Sequence, residues 1–283
     1  MKMSADPVIW CDGALIPSCE FRISPFDLGL TVGLGVFETM AAYDGKVFAY
    51  SKHHSRLLQS AEIIGIDVPQ RGIMEAAVAE VLMANGLENG RARVRLTLTG
   101  GVNPLVGGNT AGAAIITAVA ADPAPGDTVA RLAWVPQILN ERAACSGVKS
   151  ISYVEQVLAL RHARLMGADE ALILNSRDRL AEGSMSNVFL VKDGVVRTPS
   201  LASGCLPGVT RQLVITLCNE LGLALEQCEL GKQDVDDAHE IFLTSSLREI
   251  QGGCLLGAGP PVVGDVTKQL AQAYGQLVRK ETS

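Results

Sequence analysis

The run from Glu170-Ala171-Leu172-Ile173-Leu174 to Leu206-Pro207-Gly208-Val209-Thr210-Arg211 decides how the chain is read. Ala171-Leu172-Ile173-Leu174 reads as a short apolar strand and Asn175-Ser176-Arg177-Asp178-Arg179 as a polar turn. Leu180-Ala181-Glu182-Gly183-Ser184-Met185-Ser186-Asn187 comes next, then a strand at Val188-Phe189-Leu190-Val191, a Lys192-Asp193-Gly194 turn and a third strand. A helix over 208–221 follows, stopped by Gly222. This places the Glu182 carboxylate on a turn between strands and several unbonded backbone N–H groups at a helix start. Together they suit a ligand with a basic nitrogen at one end and a phosphate at the other.

Outward from this stretch, Asp12-Gly13 and Asp44-Gly45 each separate two strand-like runs, so the chain opens on two hairpins of an antiparallel sheet. Leu57, Leu58, Ala61 and Ile64 recur at helical spacing, with Ser51 as the expected N-cap. A second helix is expected over 70–85. Residues 91–99 alternate Arg93, Arg95, Thr97 and Thr99 against Val94, Leu96 and Leu98, a strand with one wet and one dry face. Gly107-Gly108 close a loop, and a buried strand returns near 113–120. Val154, Val157, Leu158 and Leu165 form the expected apolar stripe of a helix over 152–166. Asp122-Pro123-Ala124-Pro125-Gly126-Asp127 reads as a linker, dividing the chain into an N-terminal α/β domain (1–121), a connection (122–128) and a C-terminal domain (129–283).

With 283 residues, 48% hydrophobic and 4% aromatic, the chain can bury a core in each of two domains. The formal net charge of −6 is spread without a basic cluster, which excludes nucleic acid as an expected partner. The nearly unbroken apolar run at 111–121 is shorter than the roughly 20 residues of a membrane helix, and residues 1–7 show no signal-peptide core. Neither membrane nor secretion is expected, and the expected location is cytoplasmic. Seven scattered cysteines with no CxxC pair give no metal site, and each reads as a small core residue.

Five features carry chemistry. Lys149 lies just before the helix expected to begin near Tyr153, where a lysine amine with a depressed pKa becomes a nucleophile toward carbonyls. Glu182 could face a protonated ring nitrogen. Val209 and Thr210 offer helix-start donors to a phosphate, as could the Thr244-Ser245-Ser246 turn. Arg56 sits on a helix. Taken singly, each is more often a solvated loop or surface residue.

Their order along the chain resembles the class IV aminotransferase (fold-type IV) family of pyridoxal-phosphate enzymes. The motifs are His53-His54-Ser55-Arg56-Leu57, Lys149, Gly167-Ala168-Asp169-Glu170-Ala171-Leu172, Glu182 to Phe189, Thr198-Pro199, Leu206 to Arg211 and Thr244-Ser245-Ser246. The resemblance implies a two-domain α/β fold with a larger C-terminal pseudo-barrel domain, pyridoxal 5'-phosphate as cofactor and a homodimer. It implies that Lys149 bonds the cofactor covalently, that Glu182 meets the pyridine nitrogen, and that Arg56, Val209, Thr210, Ser245 and Ser246 hold the phosphate.

Within the family, Thr39 in Phe37-Glu38-Thr39, the Glu155-Gln156-Val157-Leu158 run, and Val154 where branched-chain enzymes carry tyrosine resemble 4-amino-4-deoxychorismate lyases. The Gly100-Gly101-Val102-Asn103-Pro104 run departs from lyases in lacking an arginine. The expected reaction is conversion of aminodeoxychorismate to 4-aminobenzoate and pyruvate, in folate biosynthesis. Lys149 would then be the base, Thr39 would position or relay the proton, and Arg95 would bind a substrate carboxylate. The alternative is an aminotransferase acting on branched-chain or D-amino acids with 2-oxoglutarate. A non-catalytic metabolite-binding relative is a third reading, opposed by the presence of both Lys149 and Glu182.

Overall fold

A computed structural model describes residues 6–102, 112–258 and 262–283. The expected Gly107-Gly108 loop and the Asn103-Pro104 pair lie outside them. Contacts divide the chain into two compact units: one comprises Met1–Pro123, Val148–Ser152 and Glu281–Ser283, the other Ala124–Gly147 and Tyr153–Lys280. Where the sequence groups 129–283 together, the five residues around Lys149 therefore belong with the first unit.

The first unit contains β1 (Val8–Cys11), β2 (Ala14–Pro17), α1 (Leu28–Thr31), β3 (Gly35–Tyr43), β4 (Lys46–Val47), α2 (Tyr50–Ile64), α3 (Arg71–Ala84), β5 (Arg91–Thr99) and β6 (Ala114–Ala120). The strands form an antiparallel sheet in the order β2-β1-β6-β5-β3-β4. Both hairpin turns use the expected Asp-Gly pairs, all four residues at positive φ, the geometry that matches strand twist. Alternation decides the faces. Val36, Met40, Val94, Leu96 and Ile116 point to one side and pack with Leu57, Ala61, Met74 and Val78 of the helices. The other face of β3 and β5 carries Phe37, Thr39, Arg95 and Thr97. Ser51 is not the cap of α2: the helix starts at Tyr50, behind Ala49 in a left-handed conformation with no side-chain cap.

In the second unit are β7 (Ala130–Leu139), α4 (Val154–Leu165), β8 (Glu170–Asn175), β9 (Leu180–Gly183), β10 (Asn187–Lys192), β11 (Val195–Pro199), α5 (Val209–Glu220), β12 (Leu225–Cys228), α6 (Lys232–Asp236), β13 (Glu240–Ser245) and β14 (Glu249–Leu255), with α7 (Asp265–Thr282) closing the chain. Its mixed sheet runs β12-β11-β10-β13-β14-β7-β8-β9. The sheet curls, so that β9 at one edge also lies beside β10 and β11. The stripe expected to anchor α4 is exposed at Val154, Val157, Leu158 and Leu165. Ala159 and Ala163 are the buried contacts instead, seated against Ala133, Ala171 and Ile173, because small side chains let a helix sit close to a sheet. The cysteines are all free, but Cys19 and Cys145 are exposed rather than core residues. Among the described residues, no helix is long and apolar enough to cross a membrane.

Candidate active site

In the first unit the site is built on β3. The segment holding Lys149 runs beside it: the Lys149 carbonyl accepts the Phe37 N–H at 2.9 Å, Ile151 N–H donates to Gly35 at 3.0 Å, and Val36 bridges Ser150. Lys149 is thus fixed by a strand edge, not by the helix start that the sequence suggests. Its Nζ lies 4.4 Å from the centroid of the Phe37 ring, and the Arg95 guanidinium carbon lies 3.9 Å from the same centroid, both within cation–π range. Arg95 Nε donates to Thr97 Oγ1 at 3.2 Å. Thr39, one strand alternation from Phe37, stands directly opposite Arg95. The structure therefore gathers Lys149, Thr39 and Arg95 on one face, around a ring that the sequence did not single out.

On the core-facing side of β3, Glu38 is buried against α2. Its carboxylate accepts Arg56 Nε at 2.7 Å, Arg56 Nη2 at 2.6 Å and His53 Nδ1 at 2.7 Å. Burial pushes the Glu38 pKa up, but the Arg56 charge and the hydrogen bonds from Arg56 and His53 outweigh it and hold the group at about 2. Burial lowers the His53 pKa, and the Arg56 and Lys149 charges act the same way against the opposing pull of Glu38. Arg56, expected as a phosphate ligand, is buried and held by the Glu38 carboxylate. Glu38 and His53 had a signal in sequence: a carboxylate among core-facing strand residues needs a partner, and His53 and Arg56 share a helix face.

In the second unit, Glu182 is a residue of strand β9 rather than of a turn, paired with Ile173 and buried. Its Oε2 accepts the Leu206 N–H at 2.9 Å and Asn187 Nδ2 at 3.5 Å, while Asn187 Nδ2 also donates to the Leu206 carbonyl at 2.9 Å. Burial and the Glu182 charge together raise the Cys205 thiol pKa to about 11. Behind Glu182 lies Glu170, fully buried, which accepts from Ser184 N–H at 3.0 Å, from the Ser184 hydroxyl, from Ser186 Oγ at 3.3 Å and from Arg248 at 3.3 Å.

Helix α5 starts at Val209 behind Gly208, without a side-chain cap, so its first N–H groups have no intrahelical acceptor. A Cβ at Gly208 would collide with Asn187 Oδ1; close approach, not backbone freedom, fixes glycine there. Thr210 is buried, with Oγ1 3.5 Å from the Tyr274 hydroxyl. Thr244, the cross-strand partner of Asn187, is buried and its hydroxyl has no hydrogen-bond partner among the described residues. Ser245 Oγ accepts the Arg248 N–H at 3.1 Å, and Ser246 occupies the turn after β13.

Unit by unit, the donor set fits pyridoxal phosphate. An uncapped helix start and the partnerless buried Thr244 hydroxyl offer donors to a phosphate, a buried carboxylate suits a protonated ring nitrogen, and an amine stands over an aromatic ring.

The family model described as amino-transferase class IV matches residues 35–254. A putative branched-chain-amino-acid aminotransferase of Methanocaldococcus jannaschii is 32% identical over 280 residues, covering 96% of each chain. The branched-chain-amino-acid aminotransferase of Pseudomonas aeruginosa is 32% identical over 307 residues, covering 98% of this chain and 94% of that one. The branched-chain amino acid aminotransferase of Thermobaculum terrenum, solved in its PLP-form, superposes with a TM-score of 0.86 at 26% identity, covering 98% of this chain and 96% of that one.

Proposed function

Since the chain belongs to the class IV aminotransferase family of pyridoxal-phosphate enzymes, we propose that it transfers the amino group of an amino acid to a 2-oxo acid, with 2-oxoglutarate as acceptor. One observation carries this reading over the lyase expected from sequence: relatives aligned along nearly the whole chain are named branched-chain-amino-acid aminotransferases. Those donors are the first to test, with D-amino acids beside them.

In this reading Glu182 faces the pyridine nitrogen, and Arg56, Val209, Thr210, Ser245 and Ser246 bind the phosphate. Lys149 is the covalent attachment. Bound pyridoxal phosphate supplies an electron sink for the pair left on the substrate Cα when its proton departs. Lys149 Nζ would take that proton from the substrate Cα and pass it on, since handing it back to Cα would only regenerate the donor; Thr39 would position it, and Arg95 would orient a substrate carboxylate through its planar fork. Exposed Phe26, Leu30 and Val32 support the homodimer that belongs to this reading.

Incubation with leucine, valine or D-alanine plus 2-oxoglutarate should yield glutamate, and Lys149→Ala should abolish both that product and the visible absorption of the holoenzyme. Absence of glutamate with every donor would overturn the proposal. The lyase remains as a second reading because Thr39 stands opposite Arg95 on the Phe37 face; 4-aminobenzoate formed from aminodeoxychorismate would select it.

A further inference from the structure

Two turns of the second unit leave its sheet side by side. Asn187 opens β10 opposite Thr244, near the end of β13. Residues 184–186, which follow Glu182-Gly183, therefore emerge beside residues 246–248, which follow Ser245. Glu170, fully buried at the start of β8, holds both turns. Its Oε1 accepts the Ser184 N–H at 3.0 Å and the Ser184 hydroxyl, and its Oε2 accepts Ser186 Oγ and Arg248 Nη2, each at 3.3 Å. Arg248 is fixed elsewhere too: its backbone N–H donates to Ser245 Oγ at 3.1 Å and its Nη1 to Gln251 Oε1. Gln251 is anchored in turn, its Nε2 donating to Thr128 Oγ1 at 3.0 Å.

The backbone gives this clamp something to hold. Ser245 pairs with Glu249, so Ser246, Leu247 and Arg248 form a three-residue hairpin loop. Short loops of this kind commonly use glycine for a left-handed residue, yet here Glu249 takes a φ of 56°, uncommon for a residue with a side chain. Such a conformation persists where its surroundings over-determine it. The Arg248 side chain, spanning Glu170 and Gln251, supplies that constraint.

We infer that Arg248 is a positioning residue: through Glu170 it sets the Ser245–Ser246 turn, which grips the phosphate, at a fixed distance from Glu182, which grips the ring. The inference rests on the cofactor contacts proposed above. A ligand that uses both grips gains from their being set in advance, because the second contact then needs no further ordering. A ligand that uses only the ring grip gains nothing. Glu182 keeps its own supports, the pairing with Ile173 and the Leu206 N–H, so the ring grip survives loss of Arg248.

The test compares pyridoxal phosphate with pyridoxal, which lacks the phosphate and uses one grip. Equilibrium dialysis of the full-length chain, freed of cofactor, gives a Kd for each. In Arg248→Met the ratio of the pyridoxal Kd to the pyridoxal phosphate Kd should fall about tenfold, through weaker pyridoxal phosphate binding alone. Arg248→Lys, which keeps the charge and loses the fork, should recover part of it. Because Arg248→Met leaves a buried carboxylate without its cation, the double variant Glu170→Gln/Arg248→Met, which removes both charges, is measured beside it and should show the same fall. A ratio unaltered in both variants would overturn the inference, and so would equal losses for the two ligands, which mark a merely structural role. The unaltered protein tests the underlying reading separately. If it binds pyridoxal as tightly as pyridoxal phosphate, the phosphate grip itself is wrongly placed, and the inference falls with it whatever the variants do.

Discussion

Glu38 grips the Arg56 guanidinium with both carboxylate oxygens, at 2.7 and 2.6 Å, with both side chains buried. A group held at about 2, against 4.5 for an ordinary glutamate, contributes stability that is present above 4.5 and lost as pH falls toward 2. The difference corresponds to about 3 kcal/mol. Glu38→Gln should therefore lower the unfolding free energy at neutral pH by about 3–5 kcal/mol, since it strands a buried charge. It should also flatten the stability loss below pH 4.5, both readable in urea melts across that range.

His53 works in a different window. Its folded-state pKa lies below the ordinary 6.5 because burial disfavours the imidazolium. The unfolded chain then binds more protons than the folded one below 6.5, so stability present at higher pH is lost as pH falls through that value. Thermal midpoints taken between about pH 7 and about pH 5 should drop in the unaltered protein and drop less in His53→Gln. Equal slopes for the two would sink the assignment.

Gly208 and Asn187 form a second tight contact. A methyl at residue 208 would have to displace the Asn187 amide, which bonds both the Leu206 carbonyl and Glu182. Gly208→Ala should cost about 1–3 kcal/mol by overpacking and should weaken cofactor binding, because Glu182 and the α5 start move together. Equilibrium dialysis against pyridoxal phosphate checks the second effect, and affinity equal to that of the unaltered protein would refute it.

What could be read in advance was local. The Asp-Gly hairpins and the alternation of residues 91–99 reach only a few residues along the chain, and β5 has the expected bounds. What could not be read was set by pairing at a distance. Lys149 lies beside β3 because its segment pairs with residues more than 110 positions earlier, a relation no window around Lys149 contains. Glu182 looked like a turn residue because Gly183 and Ser184 follow it, yet pairing with Ile173 holds it in a strand. The α4 stripe departs from expectation for a related reason: large apolar residues signal burial only when something covers them, and here two alanines make the contact. Arg95 was expected as a solvated strand residue unless substrate bound it, and Phe37 gives it a half-buried seat.

Thr244 gives the sharpest test of the phosphate end. A buried hydroxyl without a partner costs about 1–3 kcal/mol, and this one stands on the Asn187 side of β13, where Asn187 also meets Gly208 at the start of α5. Valine has nearly the same shape and no hydroxyl. Thr244→Val should therefore raise the melting temperature of the cofactor-free protein by a few degrees for each kcal/mol recovered. If the hydroxyl donates to the phosphate, the same change should weaken pyridoxal phosphate binding about tenfold, the worth of one charge-assisted bond, while leaving affinity for unphosphorylated pyridoxal unaltered. Equal losses for both ligands would mean that the substitution disturbs the pocket as a whole. No loss for either would remove Thr244 from the phosphate site and leave Ser245, Ser246 and the α5 start to hold it.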